Sequence, residues 1–258
     1  MINRRRFLIG AGAAGATIGL GWAGLSALSS RERPLALVYR GPASCSGCSE
    51  SVADLLRNTP TGFRTAYCGP DEELDISPRT LATAAVYAQP GGGNVEPAWR
   101  RLRGHADEIR DWVRGGGHYL GFCLGGYLAG STPGFALLPG DADRYIGSPH
   151  ASVHGTDDAV VQVRWRGQTR SMFFQDGPIF RLRPGAPATV LATYDTGAPA
   201  ALVTSFGAGR VGVVGPHPEA DRSWYRDAHL TNPDGVQPDL GHDLVESTVG
   251  GPAPVSPG

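Results

Sequence analysis

Short apolar runs and longer runs repeating every three to four residues take turns along the first half of the chain, and each implies a different element. Residues 35–40, 63–68, 84–89 and 118–122 read as buried strands. Between them, Ser49 or Ser51 is placed to cap a helix running to about Arg57, and Ser77-Pro78 opens a short helix with proline in its first turn. Residues 97–114 predict one strongly amphipathic helix, with Trp99, Leu102, Ile109, Trp112 and Val113 on a single face. A further helix is predicted from Leu124 to about Ala129. Strands alternating with crossover helices at this spacing predict an α/β domain with a parallel sheet.

Beyond Gly140 the texture changes. Residues 141–154 read as polar loop, and short strands are expected at 159–165, 171–175, 189–194, 200–206 and 210–214. Gly207-Ala208-Gly209 between the last two is a hairpin signal. A final helix is expected from Asp239 to about Thr248, ahead of a Gly/Pro tail at 250–258 that should be disordered. The domain is therefore assigned to 30–249, an α/β fold with a mainly parallel sheet and an added β-rich segment in its C-terminal half.

The first 29 residues stand apart. Asn3-Arg4-Arg5-Arg6-Phe7-Leu8 precedes an uncharged, Gly/Ala-rich apolar run to Leu28. Paired arginines before a weakly hydrophobic segment resemble a bacterial twin-arginine export signal. The same run is long enough to stay as a membrane anchor, the alternative to cleavage after Ser29. The expected partner is the twin-arginine export machinery, the expected location periplasmic, cell-envelope or extracellular, and any membrane contact is through this segment alone. Losing residues 1–29 would take the formal charge from −1 to −4. A near-neutral to mildly acidic chain gives no reason to expect nucleic acid as a partner. All 23 basic residues are arginine, so lysine Schiff-base chemistry and a phosphate-binding Gly-Lys-Ser/Thr loop are excluded. No cofactor is expected.

Candidate chemistry centres on Gly121-Phe122-Cys123-Leu124-Gly125, where a buried strand feeds directly into a helix. Gly-x-Cys-x-Gly at such a corner is the cysteine counterpart of the serine nucleophile elbow, so Cys123 is the candidate nucleophile. A base and a group to orient it are needed as well. His217 and Glu219, two residues apart at the end of an apolar strand and flanked by Pro216 and Pro218, supply both types on one side of an extended segment. Gly92 and Gly93, just past a buried strand, and the amide of Leu124 are the candidate oxyanion donors.

In this order the motifs resemble the class I glutamine amidotransferase-like superfamily, and within it the amino-terminal domain family of biotin–protein ligases, which also occurs as free-standing bacterial proteins. The resemblance rests on Tyr39-Arg40-Gly41-Pro42, Gln89-Pro90-Gly91-Gly92, residues 119–127 and Gly215-Pro216-His217-Pro218-Glu219, with a looser match at 173–180. It implies a flavodoxin-like three-layer fold and a Cys123–His217–Glu219 triad, and it implies no substrate. An exported chain lies far from cytosolic ATP and from synthetase partners. The expectation is therefore a cysteine hydrolase or amidotransferase-like enzyme acting on an unidentified amide, ester or peptide bond of a small molecule or peptide. The alternative is a binding or accessory protein that keeps the fold and pocket.

Cys45-Ser46-Gly47-Cys48 and Cys68 suggest a structural disulfide, either Cys45–Cys48 or one of these with Cys68. A metal site lacks a fourth ligand, and none is expected. His150 and His154 are expected to be exposed, although they could line the cleft. Trp224 and Tyr225 are expected in the core, and Asp221 is a fallback orienting carboxylate. His105, His118, His229 and His242 have no partner at ligand spacing.

Overall fold

A computed structural model describes residues 33–250. The export-signal expectation for residues 1–29 and nearly all of the Gly/Pro tail lie outside the described residues. Among the described residues no helix is long and apolar enough to cross a membrane.

The four early strands form as expected: β1 (Leu35–Tyr39), β2 (Arg64–Cys68), β3 (Val86–Gln89) and β4 (His118–Phe122). They pair in parallel in the order β2-β1-β3-β4, and β11 (Gly209–Val214) continues that parallel run beside β4. β10 (Pro199–Phe206), β9 (Ala188–Tyr194), β6 (Ala159–Trp165) and β7 (Gln168–Phe174) then extend the same sheet antiparallel, completing nine strands. The β10–β11 hairpin turns at Gly207-Ala208, with Phe206 opposite Gly209.

Side-chain alternation along the strands splits the core in two. Ala36 and Val38 of β1 pack towards α1 (Cys48–Asn58) and α7 (Pro238–Val249), through Val52, Leu56, Leu244 and Val245. Leu37 and Tyr39 face the other layer, α2 (Pro78–Leu81), α3 (Val95–Leu102), α4 (Ala106–Arg114) and α5 (Leu124–Leu128). Helices on both faces of the sheet make this the flavodoxin-like three-layer sandwich, with the added β-rich segment in the C-terminal half.

Four local expectations are corrected. Neither Ser49 nor Ser51 caps α1: Gly47 holds the N-cap in the left-handed region (φ 80°), and the Ser49 hydroxyl donates to the Tyr39 carbonyl at 2.8 Å, tying the helix to β1. The helix expected over 97–114 is two helices, α3 and α4, broken by a 3-10 turn at Arg103–His105 around Gly104, where helix propensity is lowest. The expected loop after Gly140 begins as β5 (Gly140–Arg144), paired with the unforeseen β8 (Pro178–Leu182) in a separate two-stranded sheet. A short helix α6 (Arg222–Asp227) also follows the His-x-Glu segment, and Asp221 caps it by accepting from the Ser223 amide at 2.7 Å. The Asp221 carboxylate is therefore committed to a helix end and not to His217.

Candidate active site

β4 and β11 are adjacent and parallel, with Phe122 opposite Val214, so the residues following them emerge side by side. Cys123 follows β4 and donates its amide to the Val214 carbonyl at 2.9 Å. Its backbone sits at φ 47°, ψ −102°, a conformation L-residues rarely adopt, held by the strand on one side and α5 on the other. This is the strained strand-to-helix corner that a nucleophile elbow requires. Cys123 is 6 % exposed, and its sulfur lies 3.4 Å from the Gln175 carbonyl.

His217 follows β11 in an extended segment. Its amide donates to the Phe173 carbonyl at 2.9 Å, so the end of β7 pins this histidine from across the sheet. The His217 ring packs against Phe173 and Trp224, with centroids 5.9 and 5.1 Å away. Trp224 thus walls the imidazole, whereas Tyr225 is in the core and accepts the Phe173 amide at 2.8 Å. His217 Nδ1 lies 2.8 Å from Glu219 Oε1, both side chains almost wholly buried. The Cys123 side chain is close enough to act electrostatically on the same imidazole. Gly91 allows this approach: a Cβ there would stand 2.9 Å from His217 Cε1.

Burial on its own pushes the His217 imidazolium down. The Glu219 carboxylate and the Cys123 thiol outweigh it, and the pKa is pushed up to about 10. The ordinary value is near 6.5, so the folded chain keeps a proton that the unfolded chain releases between these limits. Stability from this proton is complete below about pH 6.5 and is lost as pH rises towards 10. The unfolded chain releases the Cys123 proton only near about pH 8.5, so beside a Cys123 thiolate the urea midpoint is expected to fall above that pH, and to fall less in His217→Gln. Equal slopes in the two proteins would show that no such proton is held. Above pH 9 a second group intervenes, because burial, with Glu72 and Asp75 nearby, pushes the Cys68 thiol up to about 12.

An open cleft of about 770 Å³ lies over Cys123, and Gly92, Gly93 and Leu124 all line it. Leu124 is the first residue of α5, where backbone N–H groups have no intrahelical acceptor. The lining also carries Tyr127, Arg144 and Asp176, none of them read as a site residue from the sequence. Arg144 Nε donates to Asp176 Oδ1 at 3.0 Å, and the Tyr127 hydroxyl donates to the Asp176 carbonyl at 3.0 Å. The looser motif match at 173–180 was the available signal for Asp176. Arg144 carried none, because its strand is too polar to read as one.

Cys45 and Cys48 form a disulfide, with Cα atoms 5.3 Å apart, while Cys68 and Cys123 are free and buried. Of the pairings left open by the sequence, Cys45 and Cys48 are the two brought together. The disulfide loop borders the site, since the Cys45 amide donates to the Gly91 carbonyl at 3.0 Å. His150 and His154 are exposed and do not line the cleft. No group of three or more His, Cys, Asp or Glu side chains among the described residues could hold a metal ion.

Residues 35–143 match the family model described as "Biotin-protein ligase, N terminal". Among curated proteins, the imidazole glycerol phosphate synthase subunit HisH of Gloeobacter violaceus is 37% identical over 88 residues, covering 31% of this chain and 39% of that protein. HisH of Nostoc punctiforme is 28% identical over 106 residues, covering 38% and 49%. The matches span less than half the length of these relatives. Among solved structures, PurLQS from Thermotoga maritima is similar at a TM-score of 0.53 and 16% identity, over 84% of this chain and 98% of that one. A ThuA-like protein from Bacteroides uniformis gives 0.51 and 15%, over 84% and 91%. Identities this low speak for the shared fold alone.

Proposed function

Because residues 35–143 carry the pattern of the biotin–protein ligase amino-terminal family, within the class I glutamine amidotransferase-like superfamily, we propose that this protein is a cysteine hydrolase or amidotransferase-like enzyme. Its substrate would be an amide, ester or peptide bond of a small molecule or peptide. Cys123 is the nucleophile, His217 its acid and base, and Glu219 the carboxylate that orients the imidazole. The observation that carries this reading is the buried His217–Glu219 pair, 2.8 Å apart, standing beside a cysteine strained at the end of the neighbouring strand. The Arg4-Arg5-Arg6-Phe7-Leu8 signal favours an exported enzyme.

The attacking species is the Cys123 thiolate, with its proton on the His217 imidazole. The thiolate forms a C–S bond to the carbonyl carbon, and the π electrons move to oxygen. The Leu124 amide, with those of Gly92 and Gly93, receives that oxyanion from fixed dipoles that need no reorganisation. Collapse expels the leaving group, which takes the proton from His217 and leaves a thioester. Water then attacks the thioester while neutral His217 accepts its proton. The acid departs, and thiolate and imidazolium are restored. Glu219 holds the ring in one tautomer and compensates its charge throughout.

The test is a burst assay with p-nitrophenyl acetate. About one equivalent of nitrophenol per protein is expected in the first turnover, with an acetyl group on Cys123 by mass spectrometry, and neither in Cys123→Ala. Ammonia release from glutamine would separate a glutaminase from an ester or amide hydrolase. Absence of both acylation and ammonia would overturn the enzyme reading in favour of a binding protein.

A further inference from the structure

A second cavity, of about 380 Å³, opens next to the cleft, between the carboxyl ends of β1 and β2 and the C-terminal half of α3. Tyr39, Asp75, Arg100, Arg101 and His105 line it, over an apolar floor that includes Ile76. Tyr39 is 2 % exposed. Its hydroxyl accepts the Ala43 amide at 3.3 Å, and its own proton has no acceptor among the described residues. A buried hydroxyl proton without a partner is costly unless a ligand or water completes it.

The charges point the same way. Arg40, Arg144, Arg166, Arg170 and Arg181 are each paired with a carboxylate. Arg100 and Arg101 make no hydrogen bond or ion pair among the described residues, and the Arg101 charge reaches the Tyr39 hydroxyl. His105 is held through Nδ1 by Glu108 at 3.1 Å. The one carboxylate facing the cavity, Asp75, already accepts the Ser77 and Thr80 hydroxyls at 3.0 and 3.1 Å. The wall therefore carries two uncommitted guanidiniums against one occupied carboxylate.

We propose that this cavity is an anion-binding subsite, taking the carboxylate or phosphate of a small molecule through Arg100, Arg101 and the Tyr39 hydroxyl. Guanidiniums grip such planar or tetrahedral oxyanions with paired N–H groups, and a hydroxyl adds a neutral donor. Arg100 lines both cavities, so the occupant shares a wall with the space over Cys123. The anion is then either the far end of a substrate whose carbonyl meets Cys123, which rests on the proposed function, or a separate molecule, which does not.

Calorimetric titration of the full chain with inorganic phosphate and with succinate, at fixed ionic strength, decides the matter. Saturable binding is expected, weakened tenfold or more in Arg101→Gln and threefold or more in Tyr39→Phe. Arg103→Gln, exposed and outside the cavity, should bind as the wild type does. No saturable binding, or equal weakening in Arg103→Gln, would overturn the subsite. The source is read separately, by alkylating Cys123 with iodoacetamide and with an iodoacetamide carrying a terminal carboxylate on a short chain. A preference for the charged reagent that vanishes in Arg101→Gln supports the subsite as the holder of the substrate's far end. Should Cys123 prove unreactive, the phosphate titration still tests the subsite, so its failure and that of the catalytic reading are distinct.

Discussion

Alkylation of Cys123 by iodoacetamide is expected to be nearly as fast at pH 6 as at pH 8, and to fall roughly 50-fold or more over that interval in His217→Ala. The thiolate is the reacting species, and an ordinary thiol titrating near about 8.5 loses most of its thiolate across those two pH units. In the wild-type chain His217 keeps its proton to about pH 10, because Glu219 and Cys123 together outweigh its burial. A buried imidazolium is the counter-charge that lets a thiolate persist in acid. Remove the ring, and the thiol must ionise against low-dielectric surroundings by itself. Glu219→Gln, nearly isosteric, should give an intermediate profile, since it removes the carboxylate charge while keeping a group of the same shape. Peptide mapping supplies the internal control: Cys68, buried with its thiol pushed up to about 12, should stay unlabelled throughout. If the wild type and His217→Ala share one pH profile, His217 does not activate this cysteine.

The second large effect is steric. Gly125→Ala is expected to destabilise the fold by about 2–4 kcal/mol, read as a lower urea midpoint, and to slow Cys123 alkylation as well. Gly125 lies inside α5, where alanine ordinarily improves a helix by about 1 kcal/mol. Here the added Cβ would stand 2.1 Å from the Gln89 carbonyl oxygen and 3.0 Å from Gln89 Cβ. Overlap with backbone cannot be relieved by a rotamer change, so the helix must move off β3. It would carry Cys123 with it, and it would strain the 2.7 Å bond from the Tyr119 hydroxyl to the Gly125 carbonyl. Gly93→Ala is the matched control, because a Cβ there meets nothing within 4 Å, and its effect should stay within about 0.5 kcal/mol. Two equally mild substitutions would mean that α5 does not sit this close to β3.

Much of this was legible in the chain because it is local. Three of the four early strands, β1, β3 and β4, are nearly continuous apolar runs buried between helices, and such runs announce themselves without context, whereas β2 at the sheet edge is only partly buried. Ser77-Pro78 opens α2 as read, and the Ser77 side chain accepts the Thr80 amide, a bond between residues three apart. The Gly207-Ala208 turn is equally local. Where the reading failed, a distant group decided the outcome. Ser49 has the composition of a cap, yet its hydroxyl serves β1, ten residues back. The polar β5 exists because β8 offers it a ladder, and nothing in Gly-Asp-Ala-Asp-Arg says so.

The site divides along the same line. The order of residues sets which types stand at the ends of which strands: a glycine-flanked cysteine at one, a His-x-Glu at another, a glycine run at a third. Packing makes β4 and β11 neighbours, across 86 residues of intervening chain between Phe122 and Gly209, and so sets Cys123 beside His217. It also sets Glu219, and not Asp221, against the imidazole, and brings the Arg144–Asp176 pair to the cleft. Strand order follows from which apolar faces can be buried together, a sum over the whole core that no stretch of sequence contains. The chemistry of each residue is written locally, and its partner is chosen by packing.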